Sequence, residues 1–265
     1  MIANLIKSLF AGIPPTQSAR LTGTEENHLT SNLQYGLHPS IELQQLFKER
    51  PYQGQHPAKA NVLIVGNDAN YSPEISEHKF FQRILEYHKD GVGFWKRHQK
   101  HHPFLLPEYP FDRRRGGVKY HATFSKLGFS SEYSERISFV ELLNVPTIGN
   151  TGDDKKLFFE LLDKDHLSWL EDIILGGDKK FVLVNQTLSN SILKIQKNFG
   201  VFKRLKKALD GKKAPSIILE NDNVEIYNGY SFSHSVSNEY LKNLRFEINK
   251  FLGQAHKGKG GVNPH

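Results

Sequence analysis

Apolar and polar positions along the chain alternate between two periods. Residues 62–66 (VLIVG) are an unbroken apolar run closed by glycine, which predicts a strand buried on both faces. Residues 137–143 (ISFVELL), 181–184 (FVLV), 216–219 (SIIL) and 224–227 (VEIY) predict further strands. Between them the pattern turns helical. Phe81, Ile84, Leu85 and His88 stand at i, i+3, i+4 and i+7 of a helix expected over 74–89. Tyr120, Phe124 and Leu127 mark a helix ended by Gly128, and further helices are expected around 155–162, 166–175 and 188–199, the last stopped by Gly200. Leu241, Leu244, Ile248 and Phe251 form the buried stripe of a final helix over 238–252, with Gly253 as its stop. Residues 91–117 follow neither period and read as an insertion.

Strands alternating with helices predict an α/β fold. The expected architecture is a three-layer sandwich, with a central, mainly parallel sheet of four to five strands flanked by helices. Residues 1–60 are expected as a helical and loop segment packed on the core, 61–253 as one α/β domain carrying the 91–117 insertion, and 254–265 as a disordered tail.

Composition narrows the setting. The chain has 265 residues, of which 38% are hydrophobic and 24% charged, which suits a globular fold. The absence of cysteine excludes disulfides and cysteine-ligated zinc or iron–sulfur sites. No apolar run approaches the roughly 20 residues that span a bilayer. The N-terminal MIANLIKSLFAGIPP lacks a long apolar region and a small-residue cleavage site. The expectation is a cytoplasmic monomer with no membrane association and no cofactor. A net charge of +7 favours polyanions such as DNA or RNA, or else is a generic lysine-rich surface.

In parallel α/β sheets, ligands sit beyond the carboxyl ends of the strands. That rule selects Asp68, Asn144, Asn185 with Gln186, and the segment SFSHSVSN with His234. Asp68 is either an ordinary turn former or a carboxylate held at the sheet mouth for chemistry. Asn144 is either a turn residue before Pro146 or a polar group offered at a strand end.

Three motifs in order, Gly66-Asn67-Asp68, Leu142-Leu143-Asn144 and His234-Ser235, resemble those of the uracil-DNA glycosylase superfamily. The resemblance spans roughly residues 60–252. Three departures are plain: Ala69 stands where the family has proline, the late loop reads His-Ser-Val rather than His-Pro-Ser, and the loop between the first motif and the second strand is long.

The resemblance implies hydrolysis of the N-glycosidic bond of uracil or a related damaged base in DNA. It gives Asp68 the role of stabilising the sugar cation, His234 that of donating to the departing base, and Asn144 that of choosing the base. Gly66, Asn67 and Ser235 complete the substrate contacts. A base flipped from a duplex needs an aromatic platform, for which Tyr71 is the candidate. Lys96, Arg97, Arg113, Arg114 and Arg115, interleaved with Trp95, Phe104 and Tyr109, are the candidate nucleic-acid contacts.

No cysteine accompanies His98, His101 and His102, and no metal is expected. Neither G-x-G-x-x-G nor G-x-S-x-G occurs, which removes the usual dinucleotide and serine-hydrolase readings. The remaining alternative is a non-catalytic protein on the same fold that binds nucleic acid or a partner.

Overall fold

The computed structural model describes residues 34–113, 116–205, 209 and 213–258, with side chains to 253. Residues 1–33, Arg114, Arg115 and the last seven residues of the expected tail lie outside the described residues.

The chain forms a mixed α/β fold with a central six-stranded sheet between helical layers. Its strands are β2 (Tyr52–Gly54), β3 (Val62–Gly66), β5 (Ile137–Glu141), β7 (Lys180–Asn185), β8 (Ser216–Glu220) and β9 (Val224–Gly229). The spatial order is β2-β5-β3-β7-β9-β8. The four inner strands are parallel, and β2 and β8 are antiparallel edges.

The strand pleat explains the layers. Leu63 and Val65 point to one face, where they pack with Leu167, Leu170 and Ile174 of one helix and Leu188, Ile192 and Ile195 of another. Val62 and Ile64 point to the other face, onto Phe124, Leu127, Leu241, Leu244, Ile248 and Phe251. Apolar residues at every position of β3 thus serve two cores at once.

A second, three-stranded sheet follows the first. It joins β1 (Gly36–Leu37), β4 (Ala69–Asn70) and β6 (Pro146–Ile148), in the order β1-β6-β4. β4 begins three residues after β3 ends, and β6 begins five after β5 ends. This small sheet therefore grows from the carboxyl ends of two neighbouring strands.

Several elements differ from expectation. The helix expected over 74–89 is a 3₁₀ turn, Pro73–Glu77, followed by a separate α-helix, Phe81–Lys89. Between them His78 is extended, and its Nδ1 accepts from the Phe80 amide at 3.0 Å. The insertion contains a helix of its own, Gly91–His98, because Asp90 caps it by accepting from Gly93 N at 2.8 Å. The last helix passes through Gly253 to Gly258. Gly253 is not among the glycines with positive φ, so it does not provide the left-handed stop that Gly200 provides at φ 73°. The sixth strand, β2, was expected as part of a helical and loop segment. Three residues with glycine at the end carry too little pattern to announce a strand.

Candidate active site

Asp68 lies in the turn between β3 and β4, where the main sheet hands over to the small one. Its carboxylate accepts three hydroxyl hydrogen bonds: from Thr147 Oγ1 at 2.6 Å, Thr151 Oγ1 at 2.8 Å and Tyr35 Oη at 3.1 Å. Thr147 is the middle residue of β6, Thr151 follows β6, and Tyr35 precedes β1. The small sheet thus carries the donors that hold the carboxylate. Asn70 braces the same turn by donating to the Gly149 carbonyl at 2.5 Å. Burial raises the Asp68 carboxyl from its ordinary value, and the three hydroxyl donors pull it back part of the way. The Tyr35 phenol is pushed up by burial and by the charge of Asp68.

A second carboxyl stands beside it. Glu141 is the last residue of β5 and pairs in register with Gly66. Its side chain crosses the face of that glycine: a Cβ built on Gly66 would lie 2.7 Å from Glu141 Cδ. A side chain at position 66 would displace the Glu141 carboxyl. Burial and the charge of Asp68 push the Glu141 carboxyl up to about 8. Among the described residues, no side chain donates a hydrogen bond to it. Its backbone carbonyl accepts from His166 Nε2 at 2.8 Å.

Asn67 completes this end of the strand. Its backbone carbonyl accepts from Leu143 N at 3.1 Å. Its Oδ1 is buried and has no hydrogen-bond partner among the described residues. A buried acceptor left open costs free energy unless something donates to it.

The other expected site residues are spread more widely. Asn144 Nδ2 donates to Asp163 Oδ2 at 3.4 Å, so its amide is partly engaged at the cap of the helix Lys164–Leu175. Asn185 caps the helix Gln186–Phe199 by accepting from Leu188 N at 3.0 Å. Gln186 Oε1 accepts from the buried Asn228 at 3.2 Å. His234 and Ser235 are exposed in the loop after β9.

Tyr71 corrects the expectation of a stacking platform. It is buried, its hydroxyl lies 2.9 Å from His88 Nε2 and accepts from Gln53 Nε2 at 3.3 Å, and its ring packs edge-on against Phe47 and Phe104. No ring face is left for a base, because the segment after β4 turns inward to close the core.

The basic insertion is also more internal than its composition suggests. Trp95, Phe104 and Tyr109 are buried. Lys96 pairs with Glu135, and Arg97 bridges Glu86 at 3.0 Å and Asp90 at 3.2 Å. Arg113 donates to the carbonyls of Leu106 at 2.6 Å and Pro107 at 2.8 Å. These cations already have partners, though exposed ion pairs are weak and exchangeable. Of the histidines, His101 and His102 are buried with His121. His101 Nε2 lies 3.1 Å from His121 Nδ1, and the rings of His102 and His121 stack at 3.7 Å. Burial holds all three well below the usual histidine range, so they are neutral packing elements near pH 7. Among the described residues, no group of three histidine, aspartate or glutamate side chains is arranged to hold a metal ion. No helix among them is long and apolar enough to cross a membrane.

Comparison of the chain with protein families, curated proteins and solved structures finds no match. The site holds two carboxyl groups at the ends of adjacent strands in unlike surroundings: one braced by three donors, the other set against a glycine with none. Burial raises both carboxyls, and only Asp68 has hydroxyl donors that favour its ionised form.

Glu141, Thr147, Thr151 and Tyr35 were not anticipated. Glu141 had a signal, being the only charged residue in the apolar run 137–143. The threonines sit in an ordinary-looking turn, VPTIGNT, and Tyr35 lies some thirty residues upstream with no local mark.

Proposed function

We propose that this chain hydrolyses the N-glycosidic bond of a damaged base in DNA. One observation carries the reading: the Asp68 carboxylate is fixed at the sheet mouth by Tyr35, Thr147 and Thr151. Cleavage of such a bond builds positive charge on the sugar, and an immobile carboxylate stabilises that charge without reorganising. Water adds to the sugar carbon, the C–N bond breaks, and the departing base takes the bonding electrons. The water proton leaves as the new C–O bond forms, and the base ends with one proton gained. The open acceptor of Asn67 supports a role for that residue in receiving an N–H of the base.

A second reading is a non-catalytic protein on this fold that binds nucleic acid or a partner. The partial engagement of Asn144 by Asp163 and the exposure of His234 favour it.

An excision assay separates the two. Oligonucleotides carrying uracil, hypoxanthine, xanthine or mismatched thymine are incubated with the protein, and abasic sites are counted. The hydrolase reading predicts abasic sites on at least one lesion. Binding without any abasic product favours the second reading.

A further inference from the structure

Asp68 and Glu141 are close in space yet differently treated. Three hydroxyl groups donate to Asp68. Glu141, in register with Gly66, lays its carboxyl over the glycine Cα. The groups that share its electrostatic surroundings are Asp68 and the phenols of Tyr71, Tyr87 and Tyr120. None of them carries a positive charge. Tyr120, half-buried, also packs at 5.4 Å on Phe232, which belongs to the loop after β9 that holds His234. Tyr120 thus links the surroundings of Glu141 to that loop.

The geometry points to Glu141 as the proton donor of this site, handing its carboxyl proton to a ring nitrogen of the departing base as the glycosidic bond breaks. This assignment rests on the N-glycosidic reading above. It also names a substrate class. A purine keeps a basic imidazole nitrogen after glycosylation and leaves as a neutral molecule once that nitrogen is protonated. A glycosylated uracil has no such nitrogen and leaves as an anion, for which a fixed acid matters less. The site is accordingly suited to a purine rather than a pyrimidine.

The proton balance closes. Glu141 gives its proton to the base, the C–N bond pair collapses onto the ring nitrogen, and water supplies hydroxide to the sugar. The proton released by that water returns to the Glu141 carboxylate. Burial and the neighbouring charge of Asp68, which push the Glu141 carboxyl up to about 8, supply the protonated form at neutral pH.

The test is single-turnover excision of hypoxanthine and of uracil from single-stranded oligonucleotides, by the full chain and by Glu141→Gln, across pH 5 to 9. Glutamine matches the shape and neutrality of the protonated acid, so the variant keeps the packing over Gly66. The expected result is a loss on the order of 100-fold on hypoxanthine, a smaller loss on uracil, and removal of the fall in rate above about pH 8. Equal rates and an equal pH profile for the two proteins on hypoxanthine overturn the assignment. So does equal loss on both bases, which marks a structural role. No product from the unmodified chain on any base overturns the hydrolase reading itself, and the donor role falls with it. An infrared titration follows the carboxyl directly. A protonated carboxyl band persisting at pH 7, lost in Glu141→Gln and titrating at lower pH in Asp68→Asn, supports the coupled pair. Its absence from the unmodified chain contradicts it.

Discussion

The hydroxyl of Thr147, fully buried at the centre of a three-residue strand, donates to Asp68 across 2.6 Å. This bond ties the small sheet to the end of the large one. Thr147→Val keeps the shape and removes the donor. The expected cost is about 2 kcal/mol, the scale of a hydrogen bond to a charged group. Urea denaturation at pH 7 measures it. An unchanged midpoint with an unchanged slope means that the contact contributes nothing to stability.

Glu141 makes stability depend on pH in a defined direction. Its carboxyl ordinarily titrates at 4.5 and is pushed up to about 8 in the folded chain. Between those values the folded chain holds a proton that the unfolded chain has lost. The contribution is complete below about pH 4.5 and is lost as pH rises through about 8. Glu141→Gln cannot ionise, so its denaturation midpoint should decline less than that of the unmodified chain between pH 5 and 9. Parallel curves for the two proteins contradict the raised carboxyl.

The paired cations of the insertion lead to a prediction about nucleic acid. Lys96 and Arg97 are engaged by Glu135, Glu86 and Asp90. Each phosphate contact contributes about 0.9 to the slope of log affinity against log salt. The double variant Lys96→Ala, Arg97→Ala should therefore change the slope for an oligonucleotide by less than about 0.9. A fall of about 1.8, two contacts' worth, places both residues on the phosphate backbone.

What the sequence carried, and what it did not, follows from range. The inner strands β3, β5 and β7 were legible because each is buried on both faces and leaves a dense apolar run. Val62–Gly66 is such a run and matches its strand end to end. The edge strand Tyr52–Gly54 was not legible, since its order comes from pairing with β5 rather than from its own residues. Asp68 was found because the strand-end rule points at it. Its donors were not, because Tyr35, Thr147 and Thr151 lie 33, 79 and 83 residues away and meet only through the small sheet. Tyr71 was misjudged for a related reason. Proximity to Asp68 in sequence says nothing of which way the ring turns, and His88 and Gln53 draw it inward.

On the hydrolase reading, Asp68 is a catalytic carboxylate and not merely a well-braced turn residue. The most direct measurement is the single-turnover rate of base release by Asp68→Asn and by the unmodified chain, at pH 7, on the lesion that the unmodified chain excises best. Asparagine preserves the size of the side chain and an oxygen acceptor while removing the charge. The expected result is a loss on the order of 100-fold, or about 2.7 kcal/mol of barrier, with oligonucleotide affinity unchanged. Equal rates for the two proteins would contradict it.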